Sequence, residues 1–140
     1  MPTNIDVVTT ARTYLGVPWR HQGRSRLGLD CAGLVVLIGR ELELSDHDRT
    51  GYSRHAQGLG FVDAFREAMD SVPLASMRLG DVLLFADEAY PCHCGILSEA
   101  RGTPHFLHAH APRRKVMEEP LSAEWRQKLR FAFRFRGLED

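Results

Sequence analysis

The chain has 140 residues, 44% of them hydrophobic, and its 18 basic side chains are balanced by 18 acidic ones. That balance argues against the basic footprint of a nucleic-acid binder, and no apolar run reaches the roughly 20 residues that a membrane helix needs. Residues 1–140 suit a single domain that buries roughly two-thirds of the surface its unfolded chain would expose.

The opening Met1-Pro2-Thr3-Asn4-Ile5-Asp6 has neither the basic region nor the apolar stretch of a secretory signal, so synthesis in the cytoplasm is expected. Thr3-x-x-Asp6 matches a capping box, and Ile5, Val8, Ala11, Arg12 and Leu15 follow at helical spacing until Gly16 and Pro18 stop the helix. A polar, glycine-containing loop runs from Trp19 to Leu29. Asp30 then caps a second helix, Cys31 to Leu42, apolar on nearly every face and therefore expected at the centre of the fold.

Residues 45–58 read as an exposed polar loop, and Val62, Phe65, Met69 and Val72 predict a third helix. After Pro73 the pattern changes. Gly80-Asp81 signals a turn, and short apolar runs follow at 82–85, 93–98, 105–110 and 113–117. Phe131 to Arg136 alternates strictly, as a half-buried strand does. Helices first and antiparallel strands after predict an α+β fold, with a buried central helix packed on a sheet. The pair Glu118-Glu119 and the trio Arg113-Arg114-Lys115 read as solvated surface.

Cys31 falls in the first turn of the second helix, where unpaired N–H groups and the helix dipole favour a thiolate. A thiolate is the nucleophilic form, and nucleophilic catalysis by cysteine needs a base and a group to orient it. Seven histidines are available, at 21, 47, 55, 93, 105, 108 and 110. If 93–98 and 103–110 pair across the loop Glu99-Ala100-Arg101-Gly102, His93 lies directly opposite His108 on one face. His110 then shares that face opposite Pro91, and His105 points to the other. His47, His55 and His105 are expected to be solvated or hydrogen-bonded.

A zinc site is the competing use of Cys92, His93, Cys94, His105, His108 and His110. Consecutive residues on a strand alternate faces, however, and C-x-x-C spacing is absent, so no metal and no other cofactor is expected. The odd count of three cysteines also speaks against a disulfide framework.

Five segments in series resemble the NlpC-type cell-wall peptidases, papain-like cysteine hydrolases that cut peptidoglycan stem peptides. They are Leu15-Gly16-Val17-Pro18-Trp19-Arg20, Asp30-Cys31-Ala32-Gly33-Leu34-Val35, Arg78 through Phe85, His93-Cys94-Gly95-Ile96 and Phe106-Leu107-His108-Ala109. The resemblance implies a papain-like fold, Cys31 as nucleophile, His93 as general base and His108 as the residue that orients it. It implies cleavage beside D-glutamate and a diamino acid. The His21-Gln22-Gly23-Arg24 loop, the length and the missing signal look most like the phage-tail and prophage branch. That branch implies phage-tail components as partners and delivery to the wall by a tail. Three positions depart from the family pattern: Ala32 replaces a serine, Trp19 a tyrosine and Cys94 an apolar residue.

Around the pocket, Trp19, Arg20, Arg24 and Asp30 are the candidate substrate-binding residues; an Arg fork matches a substrate carboxylate. Arg26 belongs with the same group of arginines. Two other functions fit the same residues. One is a catalytically silent tail-assembly protein; the other is the same triad working as an amidase, esterase or acyltransferase on another acyl group.

Overall fold

The computed structural model describes residues 1–48, 58–87 and 90–139. The expectations for His55 and for most of the 45–58 loop lie outside those residues, as does the side chain of Cys92.

Helix α1 (Asn4–Arg12) starts on the expected capping box: Thr3 Oγ1 accepts from the Asp6 N–H, and the Thr3 N–H donates to Asp6 at 2.8 Å. Its buried stripe is Val7, Val8 and Ala11, continued by Tyr14, while Ile5 and Leu15 are 51% and 45% exposed. The expected stripe shared Val8 and Ala11 with this one, but the helix is rolled toward Val7 and ends before Leu15. A two-residue hairpin, β1 (Arg24–Ser25) with β2 (Gly28–Leu29), stands where an open loop was expected. Its packing is tight. A side chain on Gly23 would collide with the Gly28 carbonyl, and one on Gly33 with the Gly23 carbonyl.

Helix α2 (Cys31–Glu41) buries Gly33, Leu34, Val35, Ile38 and Gly39, which makes it the central helix. Helix α3 (Gly58–Ala68) ends earlier than the sequence pattern suggests, because Val72 belongs to strand β3 (Asp70–Val72). There follow β4 (Val82–Asp87), β5 (Tyr90–Ala100), β6 (Thr103–His110), β7 (Lys115–Pro120), α4 (Ala123–Lys128) and β8 (Leu129–Arg134). Helix α4 has no counterpart in the sequence reading. Six residues are too few to show a period, and the Ser122 cap is its main local signal.

The six strands form one antiparallel sheet in the order β3-β8-β4-β5-β6-β7. On one face, Leu84, Ile96, Leu107 and Phe133 pack against Leu34, Ile38, Val62 and Phe65 of the helices. On the other, Leu83, Phe85, Leu97, Phe106 and Ala132 pack with Leu121, Leu129 and the partly buried Trp125. Strand β8 is therefore covered on both faces, Phe133 packing with the helices and Leu129 and Ala132 with the opposite cluster, although Arg130 is exposed. The Gly80-Asp81 turn is tied to this strand by Arg134, which donates to both carboxylate oxygens of the buried Asp81 at 2.8 and 2.9 Å. Among the described residues, no helix is long and apolar enough to cross a membrane.

Candidate active site

Asp30 holds the nucleophile's end of the site. It is 4% exposed and has extended backbone, and its Oδ1 accepts from the Gly33 N–H at 2.8 Å. The Gln22 N–H donates to its other oxygen at 2.9 Å, and Arg24 Nη1 donates to Oδ1 at 3.0 Å. With the Leu34 N–H bonded to the Asp30 carbonyl, the Cys31 and Ala32 N–H groups are left without a helical acceptor. The Cys31 thiol is half-buried. Its pKa is held well below that of an ordinary thiol, first by a hydrogen bond with Cys94 and then by the hydrogen bond and charge of His93. These outweigh burial and the repulsion of Asp30. Burial pushes the Cys94 thiol the other way, so of the two sulfurs Cys31 carries the negative charge.

The imidazoles come from the sheet. His93 Nε2 lies 2.7 Å from His108 Nδ1, which is the pairing expected from the sequence. The register that produces it is different. Ala100 pairs with Thr103 and Ile96 with Leu107, so the turn is the two residues Arg101-Gly102, both with positive φ (56° and 77°). The strands are thus shifted by two residues from the expected pairing, which preserves the face of every side chain. Continued outward, this register sets Gly95 across from His108 and His93 across from His110, so neither the expected His93–His108 opposition nor the expected His110–Pro91 one holds, although the two rings still meet. A side chain on Gly95 would press on the Leu107 carbonyl at 2.8 Å and on His108 Cβ at 3.2 Å. Glycine there makes room for the His108 ring.

His108 is fully buried, its ring tilted against Phe106 at 4.2 Å between centroids, with its Nε2 2.6 Å from Glu119 Oε2. The carboxylate favours the charged ring. Burial, reinforced by His93, His110 and Arg113, wins, and lowers the His108 pKa to about 2. The ring is neutral at physiological pH. Burial likewise lowers His110 to about 4. His105 faces away, as parity requires, and its Nδ1 meets the Thr103 carbonyl at 2.9 Å.

The expected surface pair Glu118-Glu119 is corrected by these contacts. Glu118 accepts from Ser98 at 2.7 Å and from Arg12, and Glu119 accepts from Trp125 Nε1 at 3.3 Å besides meeting His108. Arg113, Arg114 and Lys115 are exposed, as anticipated.

Of the substrate-binding candidates, Arg20 is exposed and makes no ion pair among the described residues, while Trp19 is half-buried against the main core. Arg24 and Asp30 are instead engaged with each other at 3.0 Å, and Arg24 also pairs with Asp48 at 3.0 Å. Both hold the loop onto α2. Arg26 donates to the Thr13 carbonyl and covers the Tyr14 ring. Among the described residues, no three His, Cys, Asp or Glu side chains converge to hold a metal ion.

The NlpC/P60 family model matches residues 16–134, a span that includes every residue of this constellation. The chain belongs to the NlpC/P60 family. None of the curated proteins matches it significantly, but solved structures do. The chain is similar to the NlpC/p60 domain of the peptidoglycan hydrolase SagA, with 21% identity and a TM-score of 0.65 over 94% of this chain and 97% of that one. An NlpC/P60 protein from Bacillus cereus gives a TM-score of 0.71 at 21% identity, over 96% of this chain but only 40% of its own. An N-acetylmuramoyl-L-alanine amidase from Bacteroides uniformis gives 0.66 at 14% identity, over 94% and 98%. These likenesses establish the papain-like fold of the NlpC/P60 domain.

Proposed function

We propose that this NlpC/P60 domain hydrolyses amide bonds in peptidoglycan stem peptides through a covalent intermediate on Cys31. The observation that carries the reading is the line of contacts from the lowered-pKa Cys31 to His93 and on to His108. Two structural relatives bear names of peptidoglycan hydrolysis, a peptidoglycan hydrolase and an N-acetylmuramoyl-L-alanine amidase, which supports this substrate class.

The chemistry follows from the proton positions. Thiolate Cys31 attacks the amide carbonyl, forming a C–S bond and a tetrahedral oxyanion that the Cys31 N–H can meet. One such donor is worth about 2.7–4 kcal/mol. His93, as imidazolium, gives its proton to the departing amine as the C–N bond breaks. Neutral His93 then takes a proton from water, whose oxygen attacks the thioester; the C–S bond breaks, releasing a carboxylic acid and restoring the thiolate. His108 accepts from His93 throughout and keeps the ring in plane. Exposed Arg20 is the proposed contact for a substrate carboxylate, with Trp19 lining the pocket.

The finer reading is cleavage beside D-glutamate and a diamino acid, by an enzyme of the phage-tail branch. It draws on the motif resemblance and on the His21–Arg24 loop. Digestion of defined muropeptides with product masses read out tests both levels. Wild-type protein should release fragments cut in the stem peptide, and Cys31→Ala should lower kcat roughly 10⁴-fold or more. Undiminished cleavage by Cys31→Ala would overturn nucleophilic catalysis. Binding of tail components with no cleavage at any enzyme concentration would favour an assembly role.

A further inference from the structure

Among the described residues Glu119 meets His108 and Trp125, and nothing in the acyl-transfer cycle above uses it. Its side chain is 16% exposed, its Oε2 is 2.6 Å from His108 Nε2, and its Oε1 accepts from Trp125 Nε1 at 3.3 Å. Trp125 also packs edge-on to His108, 5.3 Å between ring centroids, and lies 5.9 Å from His93.

We propose that Glu119 is a positioning residue that locks the tautomer of His108, and through it the proton on His93, with Trp125 fixing which way the carboxylate faces. The proposal rests on the reading of Cys31 and His93 as nucleophile and base.

The argument is one of proton counting. A carboxylate oxygen accepts, so the contact with Glu119 places the His108 proton on Nε2. A neutral imidazole carries one N–H, so His108 Nδ1 is then a bare acceptor. The 2.7 Å contact between the rings must therefore be His93 Nε2–H donating to His108 Nδ1. That leaves His93 Nδ1 turned to Cys31, free to hold the thiol's proton. With that proton aboard, His93 donates from both nitrogens and finds an acceptor at each: the thiolate on one side and His108 on the other. The ion pair needs His108 neutral and in this tautomer alone. Burial keeps the ring neutral, but burial does not choose a nitrogen. Glu119 does.

The near-isosteric change Glu119→Gln separates this role from packing. Trp125 N–H still requires an oxygen, so the amide presents its NH₂ to His108 Nε2. His108 must then carry its proton on Nδ1, against the N–H of His93. A protonated His93 would meet a donor where it needs an acceptor, and the thiolate–imidazolium pair would be disfavoured.

The test is ¹⁵N NMR of histidine-labelled full-length protein, together with the pH profile of Cys31 alkylation and muropeptide kinetics. The wild type should show His108 as the Nε2–H tautomer, and Glu119→Gln should convert it to Nδ1–H. The same variant should raise the apparent thiol pKa by about one unit. Its kcat should fall on the order of 10²-fold, with KM within about twofold. In the double variant Glu119→Gln, Trp125→Phe the amide is free to turn its oxygen to His108, and kcat should partly recover.

An Nδ1–H tautomer in the wild type overturns the proposal. So does a Glu119→Gln protein whose ¹⁵N spectrum, alkylation profile and kcat are all unchanged. A tautomer that switches as expected in a protein that cleaves no muropeptide upholds the lock and overturns the functional reading instead.

Discussion

The two sides of the site are held by different means. Asp30, which sets the start of α2 under Cys31, takes its partners from three, six and eight residues away along the chain. His93 depends on His108, fifteen residues away, which in turn depends on Glu119 in the next strand. The nucleophile is positioned by a helix cap and a short loop. The base is positioned by the register of a three-strand meander. A local device tolerates changes elsewhere in the fold, whereas a register must be right across β5, β6 and β7 together.

Removing Asp30 should give the larger effect on stability. Asp30→Ala takes away the cap and leaves Arg24, itself mostly buried, with one carboxylate in place of two. A lost cap costs about 1 kcal/mol and a broken buried pair more, so a total of about 3 kcal/mol is expected in urea unfolding. A loss below about 1 kcal/mol would mean that the nucleophile's side is not held by this network.

The histidine side should show itself through pH. His108 titrates near 6.5 when unfolded but near 2 when folded, so below pH 6.5 the unfolded chain binds a proton that the folded chain refuses. Stability from this group is complete above pH 6.5 and is lost as pH falls toward 2. Between pH 6.5 and 4.5 the loss from His108 alone should be about 2–3 kcal/mol. Unfolding at the two pH values checks this, and His108→Gln should remove that share of the dependence, leaving the part due to His110. An equally steep dependence in His108→Gln would assign the titration to another group.

The smallest effect probes the close approach of the strands. Gly95→Ala puts a methyl against the Leu107 carbonyl and His108 Cβ, which should cost about 1–2 kcal/mol and slow turnover by displacing His108. Unchanged stability and turnover would show that the strands can part there without moving the ring.

The same contrast explains what could be read in advance. The cap at Asp30, the central helix and the placing of Cys31 in its first turn are local, and each is legible from a few adjacent residues. The face shared by His93 and His108 was legible too, because alternation survives any even shift. The register was not. Its turn places Arg101 at a positive φ of 56°, a conformation usually signalled by glycine or asparagine, so Ala100-Arg101-Gly102 did not announce a two-residue turn. Glu119 looks like surface in the sequence for a related reason. Its partners, His108 and Trp125, come from β6 and from a helix too short to show a period. Arg24 looks like a substrate contact because its loop lies beside the pocket, and sequence alone does not show that Asp30 and Asp48 already claim its charge.

The account stands on Cys31 being a thiolate at a pH where ordinary thiols are protonated. The rate of Cys31 alkylation by iodoacetamide, followed by mass across pH 4 to 10, measures that charge directly. The rate should rise through an apparent pKa well below the roughly 8.5 of a free cysteine and stay high to neutral pH. A profile that climbs only above pH 8 would contradict it.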